Sequence, residues 1–273
     1  MIEKQEVARE AVLSAGSIIK EAFGRFVGGE IEKKMNDFVT DIDIQSERMI
    51  TEILHESYPE VVIMAEEGAS EIDGDEFWIV DPLDGTTNFV HGYPVIGVSV
   101  AYWKDGEVLL GTIYDPLRGE LFEAVKGKGA YLNGTKITVS GAKNLSDALI
   151  GTGFPFRVHE YLDPYIEVFK TIFLKSRGVR RAGAAVLDLA YVSAGRLDGF
   201  FELYLKPWDM AAGALLVSEA GGVVTNFFGQ NNYLSAGNIV AGNPYIHSEL
   251  MAETKRIFSS IDLSELSTPF PAG

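Results

Sequence analysis

Two aspartates stand three residues apart where an apolar run gives way to a turn. Asp81 and Asp84 belong to the stretch Trp78-Ile79-Val80-Asp81-Pro82-Leu83-Asp84-Gly85-Thr86-Thr87-Asn88. Pro82 fixes the backbone between them and stops strand pairing, and Gly85 permits a sharp turn. Thr86 can then begin a short helix, whose first N–H groups have no partner inside the helix and form an anion site. The stretch therefore predicts carboxylates that bind a metal ion beside a seat for a phosphate group.

Further acidic groups offer oxygen ligands elsewhere in the chain. They are Glu66-Glu67, Asp209, and the pair Asp41 and Asp43. Each has an ordinary explanation as well: a charged surface loop for the glutamates, a helix cap for the aspartates, and an Asp-Gly turn for Asp84. Taken together, they place hard oxygen ligands at the ends of separate elements, which is the arrangement that Mg²⁺ requires.

The composition argues against several other chemistries. The chain has no cysteine, which rules out disulfides, thiolate metal sites and a cysteine nucleophile. Its histidines show no metal-ligand spacing, which argues against zinc; they are His55, His91, His159 and His247. The formal net charge of −16 disfavours nucleic-acid binding. No apolar run approaches the roughly 18 residues that cross a membrane, and residues 1–6 lack the apolar centre of a signal peptide. The sequence therefore predicts a cytoplasmic protein without membrane attachment.

Two other motifs have simpler explanations than catalysis. The segment 96–101 faintly resembles a serine-nucleophile elbow around Ser99, but Ala101 replaces the closing glycine and the residues alternate as in a strand. The Lys-Gly-Lys-Gly run at 126–129 lacks the spacing of a phosphate-binding loop, and a hairpin turn explains it.

The elements that must position the acidic groups differ between the two halves of the chain. In residues 1–145 the pattern predicts a helix over 7–22 and a second helix that begins at 40–43 and ends before Pro59. Strands are predicted over 61–64, 77–80, 95–103, 108–114 and 121–125. This N-terminal half is therefore two helices and a mainly antiparallel sheet, and it carries most of the acidic ligands.

Residues 146–262 show a different pattern of predicted elements. Strands over 148–152, 178–181, 199–203 and 223–226 alternate with helices over 165–174, 184–194 and 210–220. This alternation predicts an α/β half in which helices cover the sheet. The prolines and glycine of residues 263–273 predict a loose tail.

The acidic motifs closely resemble those of the inositol monophosphatase family. The resemblance rests on residues 81–88 together with Glu66-Glu67 upstream and Trp208-Asp209 downstream. A second signature of that family is similar to Lys206-Pro207-Trp208-Asp209-Met210-Ala211-Ala212-Gly213 continued by Glu219-Ala220-Gly221-Gly222. The similarity runs from about residue 7 to about residue 261. It implies an α/β fold layered as an α-β-α-β-α sandwich, commonly assembled as a homodimer.

The resemblance also implies a role for each matching residue. Glu66, Asp81 and the carbonyl of Leu83 would bind a first Mg²⁺, and Asp81, Asp84 and Asp209 a second; Glu66 would help to hold a third, weaker ion through waters. Thr86 with Asp43 would orient the attacking water, and the amides of Gly85, Thr86 and Thr87 would seat the phosphate. The positions that match the ring-binding residues are Gly183, Ala184, Ala185, Glu202 and Asp209.

The implied reaction is Mg²⁺-dependent hydrolysis of a small phosphate monoester without a covalent intermediate. By resemblance the substrate is myo-inositol monophosphate, with inhibition by lithium; fructose 1,6-bisphosphate and 3′-phosphoadenosine nucleotides are the alternatives. A non-catalytic binding protein that kept the fold is a further alternative, although the four metal carboxylates are complete. Position 184 is alanine where the family often has a hydroxyl residue, so one hydrogen bond to the ring is missing. Arg180-Arg181 could contact substrate, an acidic surface or a dimer partner.

Overall fold

A computed structural model describes residues 1–25, 31–34, 37–68, 74–267 and 270–271 of the 273-residue chain. Its helices are α1 (Ile2–Ala22), α2 (Asp41–Ser57), α3 (Thr86–Val90), α4 (Leu162–Lys175), α5 (Ala185–Ser193), α6 (Pro207–Glu219), α7 (Tyr233–Ala236) and α8 (Pro244–Phe258). Its strands are β1 (Ile31–Lys34), β2 (Asp37–Thr40), β3 (Val62–Ala65), β4 (Glu76–Asp84), β5 (Gly97–Lys104), β6 (Glu107–Asp115), β7 (Glu120–Val125), β8 (Gly129–Leu132), β9 (Thr135–Ile137), β10 (Leu149–Thr152), β11 (Gly178–Arg180), β12 (Gly199–Leu203), β13 (Val223–Thr225) and β14 (Asn238–Gly242).

The first sheet has seven strands in the order β3-β4-β5-β6-β7-β8-β9. Strands β3 and β4 pair in parallel, and every later neighbouring pair in this sheet is antiparallel. Helix α1 covers one face with residues that recur at three- and four-residue steps, from Ala8 through Ala15 to Ile19. Helix α2 packs beside it and against β4. The predicted pair of helices on a mainly antiparallel sheet is therefore what the structure contains.

The second sheet has five strands in the order β11-β10-β12-β14-β13. Strand β10 is parallel to both of its neighbours, whereas β14 is antiparallel to β12 and β13. Helices α4 and α8 pack together over one face of this sheet, around a core that includes Tyr165, Phe201 and Phe258. The parallel strands are the ones whose carboxyl ends carry the second half of the site described below.

Helices α5 and α6 lie between the two sheets and join both halves in one hydrophobic core. Their packing is close enough to require glycine: a Cβ on Gly111 of β6 would lie 2.8 Å from the backbone of Ala212, and one on Gly213 would lie 2.5 Å from Leu189. With α1 and α2 outside the first sheet and α4 and α8 outside the second, the layers run α-β-α-β-α. The predicted fold class is confirmed, while the boundary at residue 145 stays a prediction.

Several elements were absent from the sequence-based prediction or were placed differently. The strands β1, β2, β8, β9 and β14 and the helices α7 and α8 were not predicted. Helix α6 begins at Pro207 rather than at residue 210. In the tail, which was expected to be loose, Leu266 is buried and the Phe270 ring packs edge-on against Phe77 and Trp103. Among the described residues, no helix is both long and apolar enough to span a bilayer.

Candidate active site

The parallel pairing of β3 with β4 brings the first two acidic groups to one edge of the sheet. Ala65 lies opposite Val80, so the chain leaves β3 at Glu66 beside Asp81. The pairing of β4 with β5 then shifts register between Asp81 and Asp84. Pro82 lies inside this irregularity, where it needs no ladder hydrogen bond. The prediction that Pro82 ends the strand was wrong, because pairing resumes at Asp84. The carboxyl ends of two parallel strands thus place three carboxylates together.

The turn after β4 depends on glycine. Gly85 has φ +92°, and a Cβ at this position would lie 2.9 Å from the carbonyl oxygen of Val95. Both the backbone angle and the space exclude a larger residue. The one-turn helix α3 follows, as predicted. The Asn88 side-chain amide donates to the carbonyls of Val95 at 2.7 Å and Ala182 at 3.0 Å, which ties α3 to the second half of the chain.

Asp43 is positioned by a capping box at the start of α2. The Thr40 side chain accepts from the first-turn amides, and the Thr40 N–H donates to Asp43 Oδ2 at 2.9 Å. The other oxygen, Asp43 Oδ1, accepts a hydrogen bond of 2.8 Å from the Thr86 hydroxyl. Burial raises the pKa of Asp43, against hydrogen bonds from Thr40 and Thr86 that lower it. The residues Asp43 and Thr86, predicted to act as a pair, are therefore in direct contact.

Asp209 enters the site from the other half of the chain. It occupies the third position of α6, whose N-cap is Lys206, and its Oδ2 accepts a 2.6 Å hydrogen bond from the Lys206 N–H. The interpretation of Asp209 as the N-cap was wrong, because Pro207 starts the helix earlier with a φ suited to the first turn. Asp84 is held from the same half, since its Oδ2 accepts a 2.8 Å hydrogen bond from the Val186 N–H at the start of α5.

Asp81 is the most deeply placed carboxylate of the group. It is 1% exposed, and its Oδ1 accepts a hydrogen bond of 3.1 Å from the Leu83 N–H. Its Oδ2 is buried without a hydrogen-bond partner. Burial raises the pKa of Asp81 well above its usual range, and the neighbouring charges of Glu66, Asp84 and Asp209 raise it further. Burial and Asp209 have the same effect on the pKa of Asp84.

These features fit a hard divalent cation. A buried carboxylate oxygen without a partner is costly, and mutually repelling carboxylates in one place are stabilised by a positive charge between them. Within the described ranges, no three Asp, Glu or His side chains are already arranged so that they could hold a metal ion as they lie. The argument for a cation thus rests on the Asp81 oxygen and on the chemistry of the donor set, and not on a finished coordination shell.

The carboxylates line one end of a cleft of about 520 Å³. Every predicted metal and substrate residue lines it: Glu66, Asp81, Leu83, Asp84, Gly85, Thr86, Thr87, Gly183, Ala184, Ala185, Glu202 and Asp209. Asp43 is not a lining residue and reaches the site through Thr86. Arg181 lines the cleft, whereas Arg180 is not part of its wall and donates to the carbonyl of Val179.

Comparison with known proteins agrees with this arrangement. Residues 3–259 match the sequence profile of the inositol monophosphatase family. The chain belongs to this family. The Escherichia coli (strain K12) protein named Nus factor SuhB is 44% identical over 253 residues, which cover 91% of this chain and 94% of that protein.

Two solved structures of relatives extend the agreement to the fold. The extragenic suppressor protein suhB from Bartonella henselae has a TM-score of 0.88 at 39% identity, covering 92% of this chain and 98% of that one. An IMPase from Thermotoga maritima has a TM-score of 0.86 at 36% identity, with 95% and 100% covered. The chain therefore has the inositol monophosphatase architecture along nearly its whole length.

Sequence reasoning missed several residues of the wall of this cleft that lies opposite the metal-binding carboxylate candidates. They are Gly153, Phe154, Phe156, Arg157, Tyr204 and Lys206. Nothing in the local sequence at 153–157 indicates a site, because these residues reach the cleft only through the pairing of β10 with β12.

One buried carboxylate near the cleft was also missed. Asp188 is 2% exposed, and burial followed by the charge of Asp84 raises its pKa well above the usual range. A single acidic residue in the otherwise apolar helix α5 was the signal that could have found it. Burial and the charge of Asp188 in turn raise the pKa of the half-buried Glu202 to about 8. Glu202 thus gives the cleft a further carboxyl group, whose pKa the charge of Asp209 also raises.

Proposed function

We propose that this chain catalyses the Mg²⁺-dependent hydrolysis of a small polyol phosphate monoester, with myo-inositol monophosphate as the preferred substrate. The single observation that carries the proposal is the set of carboxylates gathered around the buried, unpartnered Oδ2 of Asp81. Family membership supports the reaction class, and the name IMPase of the Thermotoga maritima relative supports the substrate.

Five residues would hold the cations. Glu66, Asp81 and the Leu83 carbonyl would bind one Mg²⁺, and Asp81, Asp84 and Asp209 a second, with Glu66 near a third, weaker ion. When bound, these ions supply the positive charge that phosphoryl transfer requires on the transferring group and on the leaving oxygen. The buried position of Asp81 keeps its carboxylate in one place, so that it can serve both ions.

Asp43 and Thr86 would orient the attacking water. The Thr86 hydroxyl donates its hydrogen to Asp43 Oδ1, so its oxygen lone pairs can accept a hydrogen from water. The water then presents its own lone pair to phosphorus, and Asp43 takes up a proton through Thr86. The raised pKa of Asp43 suits a group that accepts a proton.

The remaining lining residues would bind the two ends of the substrate. Backbone amides of Gly85, Thr86 and Thr87 would seat the phosphate oxygens at the turn before α3. At the other end, Glu202 would meet hydroxyl groups of the polyol, together with Asp209 and the backbone of residues 183–185. Ala184 offers no hydroxyl, so the ring is held there by shape and backbone contacts.

The basic side chains in the wall of the cleft favour a second candidate substrate. Arg157, Arg181 and Lys206 line the same cleft as the carboxylates and could contact a second phosphate group. A bisphosphate such as fructose 1,6-bisphosphate, or a 3′-phosphoadenosine nucleotide, is therefore the alternative. A regulatory binding role, to which the name Nus factor of the Escherichia coli relative points, is the non-catalytic alternative.

Phosphate release with Mg²⁺ tests the proposal on a panel of inositol 1-phosphate, fructose 1,6-bisphosphate and phosphoadenosine phosphate. Asp84→Asn and Glu66→Gln are each expected to lower turnover about a hundredfold or more, because each removes a charge that holds Mg²⁺. Glu107→Gln is the matched control, since Glu107 pairs with Lys126 at the surface. Retention of more than about a tenth of the wild-type rate by both site variants would contradict the assignment.

A further inference from the structure

Gly153 and Glu202 are neighbours across the second sheet. Strand β10 pairs in parallel with β12, and Thr152 lies opposite Phe201. Gly153, which directly follows β10, and Glu202 of β12 therefore lie side by side, and both line the cleft. A Cβ placed on Gly153 would come closer than 3.0 Å to three atoms, and all three belong to the Glu202 carboxyl group: Oε1, Cδ and Oε2. The Glu202 carboxyl occupies the space that any side chain at position 153 would need.

The backbone does not explain this glycine. Gly153 is not among the glycines with positive φ, so its conformation is open to alanine. Position 153 therefore requires glycine for reasons of space. The three atoms nearest to a Cβ at this position all belong to the end of one flexible side chain, that of Glu202.

The surrounding backbone is fixed, so the overlap cannot be relieved by moving the strands. The Thr152 hydroxyl donates to the Phe201 carbonyl at 2.9 Å, and the Tyr165 hydroxyl lies 2.7 Å from Thr152 Oγ1 and 3.1 Å from the same carbonyl. All three residues are at most 1% exposed. A larger residue at 153 would therefore displace the Glu202 carboxyl and not the two strands.

We propose that Gly153 is a specificity-determining position, because the space left by its missing side chain holds the Glu202 carboxyl where it meets the polyol hydroxyls. The inference rests on the proposed function, in which Glu202 faces the ring. Gly153 itself is a positioning residue that acts through Glu202, and it has no role at the metal end of the cleft.

Gly153→Ala tests the inference. The KM for inositol 1-phosphate is expected to rise roughly tenfold, the loss typical of one misplaced hydrogen-bonding group, with a smaller change in kcat. The rise should be smaller with p-nitrophenyl phosphate, which has no ring hydroxyls. Gly141→Ala is the matched control: Gly141 is exposed, its φ is ordinary, and a Cβ there would meet nothing within 4 Å, so its kinetics should equal those of the wild type.

A double-mutant cycle separates positioning from general damage. Glu202→Ala should raise the KM for inositol 1-phosphate about as much as Gly153→Ala, and the double variant should resemble Glu202→Ala alone, because the displaced carboxyl is gone. An unchanged KM in Gly153→Ala, or effects that simply multiply in the double variant, would overturn the inference.

A crystal structure of Gly153→Ala supplies a readout without substrate or metal. The Glu202 carboxyl should have moved until its atoms stand at least 3.0 Å from the new Cβ, while β10 and β12 keep their positions; movement of the strands instead would overturn the inference. If the wild-type protein hydrolysed no phosphate ester, the proposed function would fail, whereas the crystal structure would still decide the steric claim.

Discussion

The two ends of the cleft are built in different ways. At the metal end, Asp81, Asp84 and the turn at Gly85 come from one contiguous stretch whose backbone fixes their relative positions, and only Glu66 and Asp209 join them from elsewhere. At the ring end, Gly153, Glu202 and residues 183–185 come from separate strands and loops that meet only in the folded sheet. A contiguous end is expected to tolerate almost no change, whereas an assembled end can vary one residue at a time. Under the proposed function, such a division would let one hydrolytic centre serve different alcohols.

The largest effect that tests this comparison is expected from Gly85→Ala. The substitution combines a left-handed φ of +92° with a Cβ only 2.9 Å from the Val95 carbonyl oxygen. The strained backbone costs about 1–3 kcal/mol, and the turn that orients the phosphate seat would shift. Turnover should fall about a hundredfold on every substrate of the panel.

The measurement is steady-state phosphate release, with the melting temperature followed in parallel. Gly141→Ala again serves as the control glycine. Equal loss on inositol 1-phosphate and on p-nitrophenyl phosphate is the expected pattern, since the phosphate is common to both. A loss confined to polyol phosphates would show that the two ends are not separate as described.

A smaller loss of stability and activity is expected from a change at Asn88, which connects the two ends of the cleft. Asn88→Ala removes an amide that donates to the carbonyls of Val95 and Ala182, one from each half of the chain. Leaving these carbonyls without that donor should cost about 1–3 kcal/mol. The melting temperature should fall by several degrees, at about 2–4 °C for each kcal/mol in a chain of this size.

The kinetic consequence of Asn88→Ala distinguishes a structural tie from an ordinary surface contact. Because α3 would be free to move relative to residues 182–183, both kcat and KM should change on all substrates. Asn144→Ala is a suitable comparison, since Asn144 is exposed, has an extended backbone, and its side chain makes no hydrogen bond that caps the turn at 145–147. An Asn88 variant with wild-type melting and kinetics would mean that the two ends are not coupled through this residue.

The smallest effect is expected at the ring end from Ala184→Ser. Ala184 is the N-cap of α5, where serine stabilises a helix by about 0.5–2 kcal/mol relative to alanine. The new hydroxyl also restores the group that the family often has at this position. The KM for inositol 1-phosphate should fall a few-fold, with no change for p-nitrophenyl phosphate. If the KM changed equally for both substrates, the serine would be acting through Asp84 and not through a ring hydroxyl, because the Asp84 carboxylate accepts the Val186 N–H at the start of the same helix.

The sequence predicted more of the metal end of the cleft than of the ring end. The stretch 78–88 predicted its own turn and short helix and the start of its strand, although β4 runs past Pro82 to Asp84. The prediction succeeded because Pro82 and Gly85 restrict the local backbone and the carboxylates lie within a few residues of each other. Glu66 and Asp209 were recognised as possible oxygen ligands, but each also had an ordinary explanation, and only the family resemblance gave each of them a role. The roles proposed for all these residues stay predictions.

The sequence by itself determined the α/β class and the acidic stretch that begins the site, since hydrophobic periodicity and turn residues act locally. The layering of helices and sheets was expected only from the family resemblance. Only the tertiary structure decided that β3 runs parallel to β4 and so places Glu66 beside Asp81, and that β10 runs parallel to β12 and so places Gly153 against Glu202. Strand register joins residues that are far apart in the chain, and no local pattern encodes the partner. The space at Gly153 belongs to this second kind of information, because it exists only once the neighbouring strand is in place.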